Sequence, residues 1–325
     1  MKLVKKIFNK LNGLYYPQEY LCLAKESFDQ PLRAYLVDGR RIIRDITNEH
    51  LFIGYSPLII ALMPDFTAQQ DVPGTINIAF TQSSRQPNEF LEKKDAIAFL
   101  LLNKIRKQKT GNFEIVYYEG KWGQHRFISS FHQSILNLDN RYFNKKPGNV
   151  FLHDNLYKQV QIAYSIPRTI SLVTVNNDNL YNLFPTDLHG RLNDHYYVSS
   201  LRHGGKACQQ VLESGRIVLS NIHCNAYKMA YSLGKNHMQE ASARGLFPFG
   251  DAVSAQLGLP LPQAALNYVE LERVESFDHG IHKLFLYRIV GQKILQNEPF
   301  TLAHIHNVYA TWRHSKGLSG NYLLR

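Results

Sequence analysis

Cysteine is scarce in this sequence: three in 325 residues, Cys22, Cys208 and Cys224, with no C-x-x-C spacing. An odd and scattered set excludes a disulfide framework and a cysteine zinc site, and reduced thiols in a cytoplasmic protein are the expectation. Long apolar runs are missing as well. The longest, Leu58–Met63, falls far short of the roughly 20 residues that span a bilayer, so no membrane partner is expected. The basic start, Met1 to Asn12, is followed by no apolar core or small-residue cleavage site. No Walker loop, nucleophile elbow, G-x-G-x-x-G or H-E-x-x-H occurs, which removes the chemistries they carry. His304-Ile305-His306 is the one metal-like spacing, but no carboxylate stands at a companion position, and no metal is expected. The net charge is +11, yet lysines and arginines are interleaved with acids except near Lys2–Lys10 and Lys104–Lys109. Without a recognition motif that pattern gives no reason to expect nucleic acid.

What is abundant is apolar and aromatic. A hydrophobic share of 44% with 19 Tyr and 18 Phe suits a folded protein with a sizeable, strand-rich core. Residues 2–11 and 18–26 have loose helical spacing. Asp38-Gly39, between Arg33–Val37 and Arg41–Ile46, predicts a hairpin. Leu58–Met63 and Thr75–Phe80 read as buried strands. Asn88–Arg106 follows Pro87 and carries Phe90, Leu91, Ala96, Phe99, Leu100, Leu102 and Ile105 at helical spacing, predicting the main helix of this half. Phe113–Tyr118 and His125–Ser130 predict a second hairpin about Glu119–Gly123. The polar, turn-rich Asn137–Asn149 suggests a boundary, giving an α+β domain over 1–148 with no assigned role and a second domain over 149–325.

The second half predicts strands at Thr169–Asn176, Tyr196–Leu201, Arg216–Asn221, Ala264–Val274 and Lys283–Gly291. Its one short helix, Lys206–Ser214, stops at Gly215. Many strands about a short helix make an α+β fold on a barrel or strongly curled antiparallel sheet. Four segments then resemble a known family in order. Ile166–Val175 is similar to the opening strand, Leu180–Asp187 to the flavin loop, Ser214–Ile222 to the strand after the helix, and Gly280–Val290 to the late strand of the flavin reductase-like, FMN-binding split-barrel family. Departures from the family pattern are Pro185, Thr186 and Asp187 in the loop, Gly204-Gly205-Lys206 before the helix, and Ile281 and Tyr287 in the late motif.

Arg202-His203-Gly204-Gly205-Lys206 is the leading candidate site on its own residues. Two glycines allow close backbone approach, the helix start presents N–H groups, and Arg202 can grip a phosphate with two bonds. A lysine at a helix N-terminus is unfavourable alone, which points to an anionic partner. A solvated glycine-rich turn is the plain alternative. The resemblance implies that an FMN phosphate sits here, FAD being the alternative flavin. It places Asn182, Phe184, Pro185, Thr186 and Asp187 beside the isoalloxazine. Ser199 and Ser200 are ligand contacts or merely strand residues, and His237 a ligand or substrate contact. His282 is the candidate catalytic residue, with a satisfied structural histidine as its alternative. The implied activity is hydride transfer from NAD(P)H to flavin, or flavin binding without turnover. The implied assembly is a homodimer, or an internal pseudo-dimer if the first half is a diverged second barrel.

Overall fold

Strand pairing, rather than local propensity, organises both halves of the chain. The computed structural model describes residues 13–16, 18–63, 72–110, 113–143 and 150–318. The 2–11 spacing and residues 144–149 of the turn-rich stretch lie outside the described residues. Two compact units form. One is built on Asp29–Ile166, with the segments ending at Leu21 and beginning at Ile305; the other is built on Cys22–Phe28 and Pro167–His304. The chain thus passes into the second unit at Ile166–Pro167.

After β1 (Tyr20–Ala24), the first unit contains β2 (Arg33–Asp38), β3 (Arg41–Asp45), β4 (His50–Tyr55), β5 (Leu58–Leu62), β6 (Thr75–Thr81), β7 (Ala96–Thr110) and β8 (Phe113–His125). The predicted hairpin is there, with Gly39 at φ +57° as the turn requires. These seven strands form one antiparallel sheet in the order β3-β2-β6-β7-β8-β5-β4. Two helices follow, α1 (Ser130–Phe143) and α2 (Asp154–Ala163).

The expected helix over Asn88–Arg106 is instead largely β7. Ala96, Ala98, Leu100 and Leu102 are buried while the residues between them are half-exposed, a period of two. The apolar run Ala96–Leu102 fits either period, and pairing on both sides, to β6 and to β8, settles the choice. The hairpin expected about Glu119–Gly123 is also absent, because Phe113–His125 is one strand paired to β7 along its length. Its glycines serve packing instead. Asn155 of α2 accepts the Gly123 N–H at 2.7 Å and donates to the Gly123 carbonyl at 2.8 Å, drawing the helix onto the strand. A methyl at Gly123 would stand 2.8 Å from Gln159 Cγ and 3.2 Å from its Cα. Gly123→Ala is therefore expected to cost about 1–3 kcal/mol by forcing α2 off the sheet. An unchanged urea midpoint would refute that packing.

The second unit contains β9 (Arg168–Thr169), β10 (Ser171–Asn177), β11 (Leu180–Thr186), β12 (His189–Arg191), β13 (Tyr196–Arg202), α3 (Lys206–Ser214), β14 (Arg216–Ile222) and α4 (Tyr227–Leu233). There follow β15 (Phe249–Val253), β16 (Pro260–Pro262), β17 (Ala265–His279), β18 (His282–Ile294), β19 (Leu302–His306) and α5 (Asn307–Ser315), the last helix lying in the first unit. Where 18–26 suggested a helix, β1 instead joins a three-stranded sheet with β19 and β9.

The main sheet of the second unit runs β11-β10-β14-β17-β18-β13-β12. Leaving out the small β15–β16 ladder, its strand order is that of the first unit: second, first, fifth, sixth, seventh, fourth, third. The outer strands of neither sheet pair with each other, so each is an open, split form rather than a closed barrel. Phe184 of β11 and Tyr197 and Leu201 of β13 nevertheless share one core cluster with Val211 of α3. Five strand spacings of about 4.8 Å separate β11 from β13 in a flat sheet, so the sheet curls around α3. No helix of the described residues is long and apolar enough to cross a membrane.

Candidate functional site

β13 ends at Arg202, which stands opposite His282 in the antiparallel register with β18. The chain then turns tightly. The His203 N–H donates to the Ile281 carbonyl at 3.0 Å and the Gly205 N–H to the Arg202 carbonyl at 3.1 Å. α3 starts at Lys206, and Gly205, its N-cap, offers no side-chain cap. The N–H groups of Gly204, Lys206 and Ala207 meet no acceptor among the described residues. Space around Gly204 is open, whereas a Cβ at Gly205 would stand 3.1 Å from the His237 carbonyl and 3.3 Å from that of Arg202. The side chains of Arg202, His203 and Lys206 are at the surface. Lys206 Nζ already pairs with Glu240 at 2.5 Å, which raises its pKa. The anion that its helix position calls for is thus partly supplied by the protein.

His282 lies behind this turn and is fully buried. Burial, then Arg202, His203 and His279, push it down to about 3, so it is neutral. Its Nδ1 is 3.5 Å from Ser200 Oγ. Ser199 Oγ donates to Tyr287 Oη at 3.4 Å, also inside the core. All three are buried, Ser199 on the face of the sheet that carries Tyr287, and Ser200 with His282 on the opposite face. On the neighbouring strand β17, Asp278 sits between His203, at 3.5 Å, and Lys283 of β18.

The segment expected as a flavin loop is an edge strand, β11, and the turn Gly234–Met238 covers it. Asn182 Nδ2 donates to Gln210 Oε1 at 2.6 Å and to the Asn236 carbonyl at 3.0 Å, while its buried Oδ1 has no partner. Phe184 is core, with its ring 4.8 Å from that of His237. His237 Nε2 donates to the Pro185 carbonyl at 2.7 Å, and burial lowers its pKa. Thr186 Oγ1 accepts the Leu188 N–H at 3.4 Å. Thus Arg202, Gly204, Gly205, Lys206, His237, Pro185, Phe184 and Asn182 are connected through the Gly234–Met238 turn. Asp187 is not part of that group.

Asp187 belongs to a centre that sequence reasoning missed. Its Oδ2 is 2.9 Å from His304 Nδ1, His304 Nε2 is 2.9 Å from Tyr231 Oη, and Cys22 Sγ donates to Tyr231 Oη at 3.0 Å. Burial alone would lower His304, but the Asp187 hydrogen bond and charge, with Cys22, outweigh it and lift it to about 9. The imidazole is therefore protonated at neutral pH, donating from both nitrogens. A second pair, His189 and Tyr197, was missed too. His189 Nε2 donates to the Thr169 carbonyl at 3.1 Å, so its Nδ1 accepts the Tyr197 hydroxyl at 2.7 Å. Burial and then Arg168 hold His189 near 4. Tyr197 walls a cavity of about 570 Å³ with Asn221, Asn267 and Gln292, at the end of β13 away from Arg202. No motif announces either centre: the first joins residues 22, 187, 231 and 304, and the second is an ordinary His and Tyr on neighbouring strands.

No family model matches the chain, and no curated protein matches it. Solved structures similar to about half of it include FMN-binding proteins and flavin reductases. An FMN-binding protein from Thermus thermophilus with bound p-hydroxybenzaldehyde is 20% identical, over 48% of this chain and 82% of that one, with a TM-score of 0.37. An NADH:FAD oxidoreductase from Streptomyces globisporus is 13% identical, over 50% of this chain and 95% of that one, at 0.41. The styrene monooxygenase flavin reductase of Pseudomonas putida is 17% identical, over 43% and 87%, at 0.36.

Proposed function

We propose that the second unit holds a flavin nucleotide, FMN in the first instance, by its phosphate at the Arg202–Lys206 turn. The observation that carries this reading is the set of unpartnered N–H groups at Gly204, Lys206 and Ala207 beside the exposed Arg202 guanidinium. Convergent backbone donors at a helix start, with a planar cation alongside, suit a phosphate dianion. Gly204 leaves the backbone open to it, and Lys206 screens it from Glu240. His282 then acts as a positioning residue, a neutral ring behind Arg202 that adds no competing charge. When bound, a flavin would supply hydride acceptance from NAD(P)H, and the chain would supply position and electrostatics. The repeated strand order of the first unit supports reading the chain as an internal pseudo-dimer.

A second reading, binding without turnover, is favoured by the ring end. Asn182 and Phe184 are buried beneath Gly234–Met238, and His282 presents no atom to the surface. One titration and one assay separate the readings. Purified protein is expected to take up FMN with a saturable change in flavin absorbance, tighter than riboflavin. NADH or NADPH oxidation by the complex would support turnover; uptake without oxidation would leave the binding reading. Protein that takes up neither FMN nor FAD at about 100 μM, against the micromolar scale of ordinary ligand sites, defeats both.

A further inference from the structure

We propose that the first unit carries a binding site of its own, for a nucleoside phosphate. A cavity of about 590 Å³ opens where β6 and β8 end and β7 begins, bounded by Gln30, Gln82, Lys94, Arg126, Trp312 and Lys316. That volume is in the range of small-molecule sites. In the second unit the corresponding strand ends, of β14, β17 and β18, frame the cavity beside Tyr197, so the repeated sheet offers an opening at the same place twice.

Two of the three cations at this cavity lack a carboxylate partner among the described residues. Its one acid, Asp95, is fully engaged: Oδ1 meets Arg85 at 2.9 Å and Oδ2 accepts the Glu92 N–H at 2.9 Å. Arg126 donates to the carbonyls of Lys93 and Ala96, which fix its guanidinium without neutralising it. Neither Arg126 nor Lys316 has a carboxylate partner among the described residues. Lys94 pairs with Glu92 at 2.8 Å, but both are largely exposed, so water screens the pair and an anion can displace it. Three cations therefore converge on one opening, as a phosphate chain requires.

The wall of the cavity carries one indole ring and two side-chain amides, Gln30 and Gln82. Trp312 is only 7% exposed and stacks on Tyr309 with centroids 5.8 Å apart. Its indole N–H has no acceptor among the described residues and is not one of their buried unpaired groups, so it is accessible at the cavity wall. Gln30 has a left-handed backbone, φ +47°, uncommon for a side chain of this kind. Buried Arg313 donates to its carbonyl at 2.9 Å and holds it there, with the Gln30 side chain toward Gln82 at 3.3 Å. A strained residue pinned at a cavity is a feature of ligand sites. The rigid indole and two amides match a heteroaromatic base, and the cations match its phosphates.

The site has a built-in reporter, because the chain has two tryptophans and Trp122 is exposed. The Trp122→Phe full-length protein, with Trp312 as its sole tryptophan, is titrated with ADP and separately with pyrophosphate. ADP is expected to change Trp312 emission saturably with a Kd below about 100 μM, and pyrophosphate to bind about tenfold more weakly. Joint Lys94→Glu and Lys316→Glu reversal, both at exposed positions, is expected to weaken ADP about tenfold or more. Arg202→Ala is expected to leave the response intact, which keeps this site independent of the flavin reading. Absence of a saturable response by both fluorescence and calorimetry overturns the proposal. So does ADP binding that ignores the charge reversals, and so does pyrophosphate binding as tightly as ADP, which would mean a simple anion site.

Discussion

Asp187→Asn is expected to remove about 3 kcal/mol of stability near pH 6 and almost none near pH 10. The reason is the His304 imidazolium, lifted from 6.5 to about 9 against the opposing effect of burial. A group whose folded pKa is raised stabilises the fold fully below its unfolded pKa. That contribution is lost as pH rises through the folded value, here between about 6.5 and about 9. Wild-type protein should therefore lose stability across that interval, while the Asn variant, with no carboxylate 2.9 Å from Nδ1, stays nearly flat. Urea midpoints at several pH values provide the measurement. Parallel wild-type and variant curves would mean that His304 is neutral in the fold. Tyr231→Phe tests the other nitrogen: it removes the acceptor at 2.9 Å and is expected to produce a smaller loss over the same interval.

Arg202→Ala is expected to weaken FMN binding about 100-fold while leaving riboflavin binding unchanged. Charge-assisted, two-pronged bonds to phosphate are worth that much, and riboflavin has no phosphate to lose them. Arg202→Lys keeps the charge and loses the fork, so an intermediate loss, about tenfold, is expected. Rising salt should weaken FMN and spare riboflavin, because the turn is at the surface. Equal losses for FMN and riboflavin would place the phosphate elsewhere and remove the Arg202–Lys206 turn from the site.

Legibility in the sequence followed the range of the interactions. The Asp38-Gly39 hairpin, α3 with its stop at Gly215 (φ +66°), and strands β10, β13, β14, β17 and β18 were all readable, because turn chemistry and alternation are local. The elements misread were those with two admissible periods or a double use of glycine. Ala96–Leu102 carries apolar residues that satisfy a helix or a strand, and only β6 and β8 on either side select the strand. Gly120 and Gly123 looked like turn residues, but they leave the strand surface open to close approach by α2. At the candidate site the turn Arg202–Lys206 was visible as a motif. The cover over Asn182 and Phe184 was not, because it comes from Gly234–Met238, more than fifty residues later.

The sequence by itself therefore determined an α+β chain with a strand-rich second half, a short glycine-stopped helix, and a basic glycine turn ahead of it. Those features depend on neighbours within a few residues, where backbone preference and side-chain period act directly. Tertiary structure alone decided that the first half repeats the strand order of the second. It also decided that Asp187 pairs with His304, and that Trp312 joins Lys94 and Arg126 about one cavity. Each of those facts depends on residues brought together across long loops, whose closure and pairing no local pattern encodes.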